Sequence, residues 1–167
     1  MEPYLDYPPN EEKFNVASHF IGLLLSLVAL VLLVVKSSIF GNAWHIVSYS
    51  IYGVSLIILY LASTLYHNSK NPVKRSKLNI FDHAAIYVLI AGSYTPFTLV
   101  TLHGTIGWVL FGLVWGAALA GVIFKLFFIG KYDKLSTIMY VLMGWMALIA
   151  AKPLYENLSS QGLFWLV

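Results

Sequence analysis

The sequence predicts an all-α fold: a polytopic transmembrane helical bundle with about five full spans and a partial sixth. Three observations lead there. Hydrophobic residues make up 59% of the 167 positions, and mean hydropathy is +0.78. Asp, Glu, Lys and Arg make up only 10%, against about 25% in an ordinary soluble domain. So few charges cannot cover the surface of a water-soluble protein of this size. Apolar runs of spanning length also recur along the chain, divided by short polar linkers.

The elements follow in order. Residues 1–15 read as a polar N-terminal arm carrying Pro3, Pro8 and Pro9, and residues 16–167 as the transmembrane domain. The arm holds Glu2, Asp6, Glu11 and Glu12 against Lys13, so it lacks the positive start of a signal peptide. The first span is Val16 to Val35. At about 1.5 Å per residue it crosses a hydrocarbon core of about 30 Å. After the linker KSSIFGNAW, the second runs from His45 to Tyr66 and is closed by His67. The stretch HNSKNPVKRSKL then reads as a basic loop. The third span is Ile80 to Leu99. Pro96 in its last turn removes the partner of the Gly92 carbonyl, so a kink or stop is expected there. The fourth runs from Ile106 to Ile129 and is rich in Gly and Ala, which allow close helix contact in lipid. The fifth is Leu135 to Ala151, with Lys152 placed to snorkel, and a sixth begins at Gly162.

Charge sets the orientation. With a cytoplasmic N-terminus, inner segments hold Lys13, Lys70, Lys74, Arg75, Lys77, Lys125, Lys131 and Lys134, and outer segments hold Lys36 and Lys152. Eight against two satisfies the positive-inside rule. Basic residues beside apolar runs suit lipid head groups rather than nucleic acid. The chain has no Cys, which excludes disulfides, thiolate metal ligands and a Cys nucleophile.

This orientation brings His67, Asp82 and His83 to similar depth near the inner interface. Ser63 and His67 are i and i+4 and share a helix face. An ionisable group at membrane depth is by default a functional candidate. The plain alternative makes His67 a helix-end residue among head groups. Asp82 likewise has two readings. It is a first-turn acid that suits a helix N-terminus, or it is a partner of His67 that fixes the imidazole tautomer or takes a proton from a metal-bound water. His83 is turned about 100° from Asp82 and is expected to make a structural or lipid-facing contact. His45 and His103 fall on the outer side; His19 lies on the inner side and could approach His67, but its setting beside Asn15 suits a helix start. One His and one Asp are too few for a catalytic zinc, which takes three protein ligands and a water.

Four stretches carry a resemblance: EEKFNVASH at Glu11 to His19, the S-x-x-x-H pair at Ser63 to His67, the basic loop, and FDHAAIYVLIAGSYTPF at Phe81 to Phe97. Gly104 to Trp108 and KPLY at Lys152 to Tyr155 add to it. The chain resembles the bacterial haemolysin III family, itself related to the adiponectin and progestin receptors. The resemblance implies seven spanning helices around a Zn²⁺ ion near the cytoplasmic face of the bacterial plasma membrane. It also implies kinship with membrane amide hydrolases acting on ceramide-like lipids. By that resemblance His67 is a zinc ligand, Asp82 orients or deprotonates the zinc water, and Ser63 supports the metal-bound oxygen or the substrate. The family's other two zinc histidines, spaced H-x-x-x-H, come from its last helix. The chain ends at Val167, ahead of that helix. A C-terminal truncation, and weak or absent zinc binding by this polypeptide, are therefore expected. Three functions stand open: a zinc-dependent lipid hydrolase, a receptor-like or sensor protein without catalysis, and a cytolytic, pore-forming haemolysin. The partners expected are membrane lipid and a lipid substrate, and no nucleic acid.

Overall fold

The computed structural model describes residues 8–128 and 133–166. Residues 1–7 of the expected arm, together with Ile129, Lys131 and Val167, lie outside them. Among the described residues every element is helical, and five helical stretches are long and apolar enough to cross a membrane.

Helix α1 spans Pro9–Phe40. Proline suits the first helical position because its missing N–H would be unpaired anyway. Glu11 and Glu12 in the first turn face the positive end of the helix dipole. Residues 9–15, expected in the arm, are therefore the opening turns of the first span. A tight turn at Gly41 and Asn42 leads into α2, Ala43–Asn68. The Asn42 side chain accepts from the backbone N–H of Trp44 (3.0 Å) and His45 (3.3 Å), and His45 Nδ1 accepts from the Asn42 N–H (3.4 Å). This reciprocal cap is a structural role for His45.

Helix α3 spans Pro72–Pro96. Asn71 caps it by accepting from Lys74 N–H at 3.0 Å. The basic stretch expected as a loop is thus mostly helical, because Asn-Pro forms an N-cap and first-position pair. Lys74, Arg75 and Lys77 ride on the opening turns of α3. At Pro96 the α-helical ladder stops, as its missing N–H requires, and Phe97–Leu102 continues as π-helix. A turn through His103 and Gly104, both at positive φ, starts α4, Gly104–Phe127. Helix α5 (Asp133–Trp145) passes through a 3₁₀ stretch, Met146–Ala150, into α6 (Ala151–Asn157). Lys134–Asn157 forms one apolar span. Helix α7, Ser160–Leu166, starts two residues before the expected Gly162.

Consecutive long helices joined by short turns pack as antiparallel neighbours: α1 on α2, α2 on α3, α3 on α4. Polar residues in these seams mostly satisfy themselves. Ser26 and Ser37 donate to carbonyls one turn back, at 2.7 Å each. Small residues admit close contact at chosen points: a side chain at Gly92 would strike Ser55, and one at Gly121 would strike the Tyr87 ring. Gly112 and Gly116 face open space, so only part of the small-residue content of α4 serves packing. The main core gathers Tyr87, Ala91, Leu110, Val114, Ala118 and Met143. Large apolar residues such as Leu25, Val31 and Leu32 remain exposed on α1, as a lipid-facing surface requires.

Candidate functional site

Several ionisable groups meet at one end of the bundle, where α1 begins, α2 ends and α3 begins. Three short segments build it. The first turns of α1 carry Glu12 and, two turns on, His19. The last turn of α2 carries Tyr66 and His67, with Ser63 one turn before. The first turns of α3 carry Arg75 and, two turns on, Asp82.

Glu12 is the hub. Its Oε2 lies 2.8 Å from His67 Nδ1, and its other carboxylate oxygen is paired with the Arg75 guanidinium. Arg75 also donates to the Ser69 carbonyl at 3.4 Å and lies over the Tyr66 ring, 4.7 Å from its centre. The three charged or polar heads are shielded, with side-chain exposures of 18% for Glu12, 10% for His67 and 12% for Arg75. Such a pair is worth more than a screened surface contact. The His19 ring stands 5.5 Å from the His67 ring and 6.0 Å from that of Tyr60. Its Nδ1 is buried and has no hydrogen-bond partner among the described residues.

Ser63 is buried on α2. His83 Nδ1 donates to the Asn79 carbonyl at 2.8 Å, and Tyr140 donates to the His83 carbonyl at 2.9 Å, a structural role. His45, 22 residues before His67 on α2, is at the far end, about 33 Å away at helical rise. Glu12 and Arg75, which spacing did not single out, are thus central, and His19, expected on the inner side, stands beside His67. A signal for two of them is present. Glu12 and His19 are seven apart, two helical turns, and so share a face.

A cavity of about 650 Å³ opens beside the cluster. Val16, Ala17 and Phe20 form an apolar wall, and Lys13, Lys70 and Arg75 supply cations around Glu12 and His67. An amphiphile with a polar head and an apolar tail matches that division.

The donor set can be tested for zinc. Among the described residues no three His, Asp or Glu side chains gather closely enough to hold one metal ion. His67 is a suitable single ligand, but three protein ligands with a water is the catalytic pattern. The described residues alone do not fit a zinc centre.

Fold and site define a class: an integral membrane protein of antiparallel helices with a shielded Glu–His–Arg cluster at one end. The chain belongs to the haemolysin-III related family, whose model matches residues 7–167. It is 47% identical to Hemolysin-3 of Bacillus cereus and 51% identical to the Hemolysin-3 homolog of Bacillus subtilis (strain 168), each over 152 residues. Those alignments cover 91% of this chain and 69% and 71% of the two relatives. The human monocyte to macrophage differentiation factor is 27% identical over 110 residues, 62% of this chain and 45% of that protein. No solved structure matches the chain.

Proposed function

We propose that the cluster is a lipid-processing site at the cytoplasmic face of a bacterial plasma membrane, and that its reaction is hydrolysis of a ceramide-like amide. The observation that supports this most is the cavity beside Glu12 and His67, with its apolar wall and cationic rim. The wall would take an acyl chain, and the rim would hold the head group. In this reading Asp82 would accept a proton from an attacking water, and Ser63 would hydrogen-bond the substrate. His67 would serve as a zinc ligand only with further ligands from outside the described residues. Zinc is therefore given no step in this reading.

The test is fatty-acid release from a ceramide-like lipid by the purified protein, alongside bound zinc. Asp82→Ala should lower turnover by about 10²- to 10⁴-fold with the thermal midpoint unchanged. Turnover that survives in Asp82→Ala, or its absence from the wild type, overturns the hydrolase reading. Zinc binding by this polypeptide is expected to be weak or absent, and any zinc it does hold should be lost in His67→Ala. An undiminished zinc content in that variant removes His67 from the ligand set.

A second reading follows from the relatives' name, Hemolysin-3. A cytolytic pore needs a continuous polar lining, yet Ser26, Ser37 and Thr95 spend their hydroxyls on their own helices. Dye leakage from liposomes that persists in both His67→Ala and Asp82→Ala would favour this reading over the hydrolase. Ligand binding that survives Asp82→Ala without turnover would favour a sensor.

A further inference from the structure

We infer that Glu12 is a positioning residue that fixes the proton of His67 on Nδ1 and so leaves the electron pair of the neutral ring on Nε2. The inference rests on the proposed function only in taking His67 as the working group of the site. The placement of the proton stands on contacts alone.

An ionised carboxylate is an acceptor only. At 2.8 Å from Glu12 Oε2, Nδ1 must therefore be the donor and carry a hydrogen. Glu12 is held ionised by the Arg75 guanidinium on its other oxygen. Because Arg75 already neutralises that charge, His67 need not be an imidazolium to satisfy the carboxylate; a neutral N–H is enough. Arg75 is itself fixed by the Ser69 carbonyl and the Tyr66 ring. The arrangement is thus rigid at both ends. Water alone favours the other tautomer of a neutral histidine, with hydrogen on Nε2, so the carboxylate does chemical selection here. A carboxylate hydrogen-bonded to one nitrogen of an imidazole both orients the ring and makes the opposite nitrogen a better electron-pair donor.

The rival account is that Glu12 merely ties the start of α1 to the α2–α3 hairpin. The two accounts differ in which nitrogen holds the proton. The full chain, labelled with ¹⁵N-histidine, would be studied by NMR in nanodiscs, with a chelator present, no substrate, and at a pH where the ring is neutral. The His67 signals are assigned by their loss in His67→Gln. The wild type should show hydrogen on Nδ1. Glu12→Ala, with an unchanged thermal midpoint, should shift the population to mostly Nε2–H. Hydrogen on Nε2 in the wild type overturns the inference and needs no variant to fold. Nδ1–H retained in a folded Glu12→Ala protein overturns it equally. Metal and substrate are absent, so failure of the hydrolase reading leaves this result intact, and the converse also holds.

Discussion

Tyr94 ties the third span to the fifth with one atom. Its hydroxyl lies 2.8 Å from the Met143 carbonyl and 2.6 Å from that of Gly144, and it accepts the Ala147 N–H at 2.8 Å. These backbone groups sit where α5 gives way to 3₁₀ helix, so their intrahelical partners are irregular. Lipid offers no water to replace the hydroxyl. Tyr94→Phe should therefore destabilise the protein by about 1–3 kcal/mol, read as a lower unfolding midpoint in detergent. An unchanged midpoint would mean that the helix satisfies these groups itself. At this scale the site was half legible. Ser63, His67 and Asp82 stand out because polar side chains are costly at membrane depth. Glu12 did not, because a first-turn acid is already explained by the helix dipole. Only the register of α1 against the α2–α3 turn shows that it reaches His67 and Arg75. The carboxylate on His67 Nδ1 is that of Glu12.

Helix α4 separates packing glycines from idle ones. A side chain at Gly121 meets the fully buried Tyr87 ring, whereas one at Gly112 meets nothing within 4 Å. Gly121→Leu should cost about 1–3 kcal/mol by overpacking, and Gly112→Leu should stay within about 0.5 kcal/mol. Denaturant titration of the two variants gives the comparison. Equal losses would show that helix flexibility, not the α3–α4 contact, governs glycine in this element. The existence of each helix was legible, since twenty apolar residues admit few other structures in lipid. Its ends were less so. Pro72 looks like a loop residue in the sequence, yet behind an Asn cap it begins α3. Pro96 was read correctly as an interruption, but the π-helical continuation depends on packing against α4 and α2 that no local pattern encodes.

The whole molecule gathers its basic residues at one end. Lys13 on α1, Lys70 in the α2–α3 turn, and Lys74, Arg75 and Lys77 on α3 all lie at the end that holds Glu12 and His67, while Lys36 marks the opposite end of α1. If charge sets orientation, the cluster faces the cytoplasm, and a lipid would reach it from the inner leaflet. The chain has no Cys, so one introduced thiol reports its own side without background. Ser38 and Lys70 are both exposed, at opposite ends of the first two spans. A membrane-impermeant maleimide should label Ser38→Cys in intact cells and Lys70→Cys only after permeabilisation. Losing one lysine at position 70 leaves seven inner charges against two outer ones, too large a bias for the substitution itself to invert the protein. The reverse labelling pattern would place His67, Asp82 and the cavity outside. The amphiphile would then have to be an outer-leaflet lipid. Equal labelling at both positions in intact cells would mean that the charge asymmetry does not fix one orientation, and the site would be open to either leaflet.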